Sequence, residues 1–112
     1  MLNYEVGEVI PIGIFRANNS GVGQAGQSQR ANVYNVDTGL EVASQLVLSA
    51  AGPIGYYRNL WSPNITERST LLVIIYNGTG ASGTILNSYF IRIVDNVQQV
   101  KDTVDLSDGR AI

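Results

Sequence analysis

The alternation of apolar and polar positions predicts short β-strands along most of the chain. Six stretches rich in β-branched and aromatic residues are separated by turns that contain Gly, Asn, Asp or Pro. This pattern is typical of an all-β protein, and it predicts an immunoglobulin-like β-sandwich of about six to seven strands, with a small β-barrel as the alternative. The stretches are residues 9–16, 30–36, 40–49, 55–61, 71–76 and 84–94.

Two of these stretches have predictable positions within a sheet. Residues 9–16 contain Pro11, which has no N–H to donate to a ladder. That strand should therefore lie at a sheet edge or begin after Pro11. Residues 71–76 are apolar on both faces, which predicts the central and most buried strand.

The Asp-Thr-Gly turn at residues 37–39 predicts a hairpin between its two flanking stretches.

The aromatic residues have two possible uses. Trp61 and all the tyrosines except Tyr4 fall within predicted strands, where packing in the core or across strands is the usual use. The alternative is an exposed face that binds a sugar or a peptide. Because neighbouring strand residues point to opposite sides, we expect one of Tyr56 and Tyr57 to be the more exposed.

Residues 96–112 are expected to form a tail that follows a sandwich domain of residues 1–95. Asp95 and Gln98 match a variant capping box, and valines recur after them at helical spacing, which predicts a short helix with a narrow apolar stripe. About ten residues cannot hold a helix in water unless the stripe is covered. We expect the tail to attach the protein to a partner, with packing over its own sandwich as the alternative. The candidate partner-binding residues are Val97, Val100, Val104, Leu106 and Ile112.

The low charge of the chain limits its expected partners. Charged residues make up 14% of the 112 residues, and the net charge is −2. The seven Lys and Arg residues are scattered singly, whereas nucleic-acid binding needs clustered positive charge. The N-terminus lacks the features of a signal peptide, and no apolar run approaches the roughly 18 residues of a membrane span. We therefore expect a soluble protein with neither nucleic-acid nor membrane partners.

The residue types present leave little room for enzyme chemistry. The chain has no histidine and no cysteine, which excludes Ser-His-Asp and Cys-His arrangements. A small hydrolase that uses carboxylates alone is the least favoured alternative, because the carboxylates are dispersed and mostly lie beside turns. The aspartates near the C-terminus lack the spacing of an EF-hand. We expect no catalytic site, no cofactor and no metal site. The dispersed carboxylates are Glu5, Glu8, Asp37, Glu41 and Glu67.

One short motif matches a nucleotide-binding pattern. Residues 21–26 spell G-x-G-x-x-G, whose glycines let the backbone approach a pyrophosphate at the start of a helix. The residues that follow lead into a strand pattern rather than a helix. We interpret residues 18–29 as an uncharged loop, and we expect alanine at Gly21, Gly23 or Gly26 to change stability only slightly.

Four features follow one another along the chain. They are an E-V-I-P-I-G-I-F strand, a V-Y-N-V-D-T-G hairpin, a Gly55-Tyr56-Tyr57 strand that leads to Trp61, and the strand at 71–76 with its glycine-rich tip. This order, over roughly residues 6–95, resembles the small immunoglobulin-like structural proteins of tailed bacteriophage virions.

The resemblance implies a non-enzymatic virion protein that acts through protein–protein contacts. Such a protein would decorate the capsid or belong to the neck, tail or baseplate, with capsid, neck or tail proteins as its partners. It would be assembled in the bacterial host cytoplasm and would be present in many copies in a symmetric assembly. The alternative function is a receptor- or glycan-binding module that uses exposed aromatic residues and the loops at residues 18–29 and 77–83.

Truncation of the chain after Asn96 tests the expected role of the tail. If residues 97–112 attach the protein to its partner, the shortened protein should fold normally but should no longer join its assembly. Circular dichroism and co-sedimentation with assembled particles measure the two properties. If the shortened protein joins the assembled particles in normal amounts, the tail is not the attachment segment. If the shortened protein does not fold, residues 97–112 belong to the core of the domain.

Overall fold

The described residues of the protein form β-strands and no helix. The structure is a computed structural model that describes residues 2–78 and 83–95. The all-β prediction is confirmed, whereas the predicted C-terminal helix and its five partner-binding residues lie outside the described residues. The strands are β1 (Leu2–Glu5), β2 (Ile10–Phe15), β3 (Gln29–Asn35), β4 (Glu41–Val47), β5 (Ser49–Ala50), β6 (Tyr56–Trp61), β7 (Ser69–Asn77) and β8 (Ile85–Val94).

These strands form two sheets of unequal width. The large sheet has five strands in the order β1-β8-β7-β3-β4, and the small sheet has three in the order β2-β6-β5. β1 runs parallel to β8, and the other strand pairs are antiparallel. The predictions of a central β7 and of an edge position for β2 are confirmed. The sequence interpretation missed β1, and it joined β4 and β5 into one strand although the chain changes sheets at Leu48.

The inner faces of the two sheets supply the hydrophobic core. Leu71, Val73 and Ile75 alternate along β7, and each is 0% exposed. They belong to one buried cluster with Ile12 of β2 and Trp61 of β6, which come from the opposite sheet. Burial of each such side chain contributes about 1.5–3 kcal/mol. The alternate side chains of β7 are half-buried on the outer face, so neither face of this central strand is fully exposed, in agreement with its apolar sequence on both sides.

Arg16, directly after β2, connects the small sheet to the large one. Its guanidinium group donates to the side-chain oxygens of Gln29 and Asn77, each at 3.1 Å. It also donates to the side chain of Gln27 at 3.4 Å and to the backbone carbonyl of Ser28 at 3.3 Å. Because Gln29 and Asn77 belong to β3 and β7, these bonds hold the end of β2 against the large sheet.

Arg30, in β3, is a buried cation with few partners. Its side chain is 1% exposed, and its guanidinium carbon lies 4.6 Å from the centre of the Tyr76 ring. Nη1 donates to the carbonyl of Asn77 at 3.5 Å. Within the described part of the chain, Nε and Nη2 are buried without a hydrogen-bond partner. A buried donor without a partner lowers stability by about 1–3 kcal/mol.

The loop between β2 and β3 corrects one expectation about its glycines. The loop interpretation of the glycine motif is confirmed, since its residues precede β3 and form only an isolated bridge between Ala17 and Gly23. A Cβ atom on Gly23 would overlap the carbonyl oxygen of Ile54. Gly21 and Gly26 have φ angles of 80° and 71°, which strain any L-residue. The expectation that alanine would be nearly neutral at these three positions is therefore wrong.

Replacement of the two arginines by methionine should have opposite effects on stability. Arg30→Met removes two unpartnered buried donors and keeps most of the side-chain volume, so we expect a gain of about 1–3 kcal/mol in the free energy of unfolding. Arg16→Met, the matched control, removes the hydrogen bonds between the sheets and should lower stability by about 1–2 kcal/mol. Urea unfolding measures both changes. A loss of stability in Arg30→Met would show that the contact with Tyr76 outweighs the cost of the unpartnered donors.

Candidate functional site

An open apolar cleft lies beside β2. Its volume is about 990 Å³, near the upper end of the range of about 300–1,000 Å³ that ligand-binding pockets occupy. The walls come from β1 and β8 of the large sheet and from β2 and β6 of the small sheet, and no lining side chain among residues 2–78 and 83–95 carries a formal charge. The lining residues are Leu2, Tyr4, Pro11, Gly13, Ile14, Phe15, Tyr56, Tyr89 and Phe90.

The cleft exists because the small sheet is too narrow to cover the large one. Neighbouring strands lie about 4.8 Å apart, so a five-stranded sheet is wider than a three-stranded one by about 10 Å. Leu2 of β1 pairs with Ile91 of β8, yet Leu2 is 58% exposed whereas Ile91 is 0% exposed. The covered region of the large sheet therefore ends near β8, and β1 projects beyond it.

A glycine in β2 determines how the Tyr56 ring lies in the cleft. Tyr56 pairs with Phe15 across β2 and β6. A Cβ atom at residue 13 would lie 2.7 Å from the Tyr56 hydroxyl oxygen and 3.0 Å from the nearest ring carbon. Because Gly13 has no side chain, the Tyr56 ring can lie across β2 and reach the cleft.

Three tyrosines share the cleft, and one of them has a strongly shifted pKa. Burial, together with the smaller effect of the nearby Tyr4 and Tyr56, raises the pKa of Tyr89 to about 12, because the phenolate would lose solvation and two ionised phenols would repel each other. At neutral pH, Tyr89 is therefore an uncharged phenol. In this state it can donate a hydrogen bond but does not act as a base.

The rim of the cleft exposes large apolar side chains to solvent. Leu2, Phe15 and Phe90 are 58%, 53% and 48% exposed. Several exposed apolar side chains that line one cleft can mark an interaction site in a soluble protein, whereas single exposed apolar residues are ordinary. The combination of exposed aromatic rings and absent charge is the composition found at the centre of protein interfaces.

The backbone of β2 adds hydrogen-bonding groups to the cleft. The amide of Arg16 donates to the carbonyl of Gly55 at 2.6 Å, which fixes the phase of the ladder between β2 and β6. Because the bonding direction alternates along an antiparallel strand, the N–H groups of Gly13 and Phe15 point away from β6. Pro11 follows the same phase, so its missing N–H falls on the outer side. We call this outer side of β2, residues Ile10–Phe15, the free edge.

The structure separates the aromatic residues as the sequence predicted but also reveals an unexpected site. Tyr57 is 4% exposed and Tyr56 is half-buried, which confirms the predicted difference between the two neighbours. The cleft was not predicted, because β1 was not recognised. The sequence signal for β1 is the alternation of apolar Leu2 and Tyr4 with polar residues, a pattern of only four residues.

The described residues provide no arrangement for metal chemistry. Among residues 2–78 and 83–95, no group of three or more His, Cys, Asp or Glu could hold a metal ion. The same residues contain no helix that is long and apolar enough to cross a membrane. Comparisons with protein-family models, with curated proteins and with solved structures give no match for the chain. The chemistry of the cleft is therefore the basis for assigning a function.

Tyr89 should make the stability of the protein sensitive to alkaline pH. The pKa of Tyr89 is about 12 in the folded state, compared with about 10 for an unfolded tyrosine. The unfolded state thus loses its proton first, and this contribution to stability is complete below about pH 10 and is lost as the pH rises to about 12. Urea unfolding should show a smaller alkaline loss for Tyr89→Phe than for the parent protein. Equal losses would contradict the shifted pKa.

Proposed function

We propose that the protein is a non-enzymatic structural protein of a bacteriophage virion that acts through contacts with other virion proteins. The observation that carries the proposal is the uncharged cleft whose rim exposes Leu2, Phe15 and Phe90. These side chains offer apolar area that a protein partner can bury. The resemblance in the order of sequence features supports the virion setting, and the low charge content of 14% suits a surface packed against neighbours. The protein would be assembled in the host cytoplasm in many copies.

We further propose that the two sheets form an immunoglobulin-like sandwich. In immunoglobulin lettering, β2 to β8 correspond to strands B, C, C′, D, E, F and G. The order β2-β6-β5 then corresponds to B-E-D, and β8-β7-β3-β4 corresponds to G-F-C-C′. β1 is added next to strand G and runs parallel to it. This agreement of strand order supports the class of fold and, through it, a scaffold role.

A receptor- or glycan-binding module is the second candidate, and the tyrosines of the cleft favour it. Sugars pack on aromatic rings, and Tyr4, Tyr56 and Tyr89 present such rings together. Sugar hydroxyls also need several directed hydrogen bonds, yet none of the described residues that line the cleft has a carboxylate or carboxamide side chain. The lining therefore fits an apolar protein surface better than a sugar.

A charge placed in the cleft should prevent incorporation into particles. Phe15→Lys removes an exposed apolar side chain and would bury a cation against uncharged walls, so we expect at least a tenfold fall in incorporation. Leu40→Lys is the matched control, because Leu40 is 67% exposed and lies outside the cleft. Quantitative mass spectrometry of purified particles, made with the other particle proteins, measures incorporation. Thermal unfolding confirms that both variants fold.

The outcomes separate the two candidates. Loss of incorporation in Phe15→Lys alone supports protein contacts through the cleft. Equal incorporation of both variants would show that the cleft is not the contact surface. Failure of the parent protein to sediment with particles, together with binding to a glycan array that Phe15→Lys abolishes, would favour the glycan-binding module.

A further inference from the structure

We propose that the cleft receives an extended, uncharged segment of a partner protein, which adds to the free edge of β2 as a fourth strand of the small sheet. The inference rests on the proposed role in protein contacts, and it adds the mode of binding and the chemistry of the partner. Addition of a peptide strand to a sheet edge is a recurring mode of recognition, in which main-chain hydrogen bonds supply affinity and pockets for alternate side chains supply specificity.

The first support is the set of backbone groups along the free edge. The N–H and carbonyl groups of Gly13 and Phe15 point outward, away from β6. Pro11 adds an outward carbonyl group but has no N–H. In the described part of the chain, β2 pairs only with β6, so no strand uses this edge. Pro11 can accept but cannot donate, which favours a partner strand centred on Gly13 and Phe15 rather than on the start of β2.

The second support is the shape of the space beside β2. The large sheet extends past the small one, so a strand added next to β2 would lie against the side chains of Leu2, Tyr4 and Tyr89. The immunoglobulin-like sandwich proposed above has a place for a strand next to strand B. In this chain β1 pairs with β8 instead, and that place is the cleft.

The same projection of the large sheet argues against a second copy as the occupant. Two copies joined through antiparallel β2 edges would be related by a two-fold axis perpendicular to the small sheets. Such an axis puts both large sheets on the same side, where the projecting β1 strands would occupy the same space. A single extended segment fits beneath β1 without this conflict.

The lining decides which side chains the segment carries. Alternate residues of an added strand point towards the large sheet, where no lining residue in the described part of the chain has a charge to pair with a buried ion. Those positions should therefore hold aliphatic or aromatic side chains. The other row faces solvent and can be polar, so the expected partner segment alternates apolar and uncharged polar residues.

A peptide of this pattern tests the proposal with the full chain. The probe is acetyl-Thr-Val-Thr-Leu-Thr-Val-Thr-amide, and the control peptide carries Asp in place of Leu. Amide NMR of the ¹⁵N-labelled protein should show shifted signals and slowed exchange at Gly13 and Phe15 with the probe. The amides of β4, the opposite edge of the large sheet, should not change. The control peptide should bind at least tenfold more weakly, because its carboxylate would be buried without a partner.

Two further variants separate backbone pairing from side-chain contact. Phe15→Ala and Phe15→Pro both remove the phenyl ring, but only the proline removes the outward N–H. We therefore expect Phe15→Pro to bind the probe about fivefold more weakly than Phe15→Ala. Probe peptides N-methylated on either the Thr or the Val and Leu positions give the same information without changing the protein. N-methylation of the residues whose N–H groups face β2 should abolish binding. N-methylation of the other residues, whose N–H groups face away from β2, should leave binding unchanged.

Each alternative occupant or mode gives a distinct result. Equal binding of the two Phe15 variants and of the two methylated peptides would overturn strand addition, but it would leave the proposed function intact. The same holds if no probe binds while Phe15→Lys still prevents incorporation into particles. Dimerisation that protects Gly13 and Phe15 without peptide would assign the cleft to a second copy. Tighter binding of a peptide of residues 96–112 would assign it to a segment of this chain. Either assignment would overturn the partner proposed here.

Discussion

Apolar contact between the inner faces of two unequal sheets holds this protein together. The contact is made by rows of buried apolar side chains. β7 supplies one row from the large sheet, and the side chains of β2 and β6 pack against it from the small sheet. Three strands can bury only part of a five-stranded sheet. The margin that is left uncovered is a direct consequence of the contact that stabilises the rest, and it places β1 and part of β8 in contact with solvent.

Two arginines lie close to the packed sheets and have different surroundings. Arg16 lies at the boundary between the sheets and is surrounded by neutral oxygens, so its charge remains well solvated by the protein. Arg30 pairs with Tyr76 on the outer face of the large sheet, where its buried guanidinium group lies over the Tyr76 ring. The described residues that line the cleft carry no formal charge. The cleft thus combines apolar side chains with the unused backbone of β2, a combination suited to protein contacts.

The proposed function and the proposed mode of binding depend on different parts of this site. Protein contact requires only the exposed apolar rim, of which Phe15 and Phe90 are members. Strand addition also requires the phase of the ladder between β2 and β6, which the bond from Arg16 to Gly55 establishes. Gly13 contributes to both parts of the site. Its lack of a side chain lets the Tyr56 ring lie across β2 at the cleft, and its N–H group belongs to the free edge.

Most of the strands could be predicted because alternation along a strand is a local property. Pro11 correctly placed β2 at an edge, and the doubly apolar run correctly placed β7 at the centre, since each inference depends on one strand alone. β1 was missed because four residues carry little periodicity. The effect of alanine at Gly23 was wrongly predicted because the opposing carbonyl belongs to Ile54, about 30 residues further along the chain.

By itself, the sequence determined the all-β class, the turns, the absence of histidine and cysteine, and the low charge, because these follow from residue types and short-range pattern. Only the tertiary structure decided that the chain changes sheets at Leu48, that β1 joins β8, and that β2 is the last strand of the small sheet among the described residues. These features depend on which distant strands pair. The cleft exists only after that pairing, so no local pattern could have indicated it.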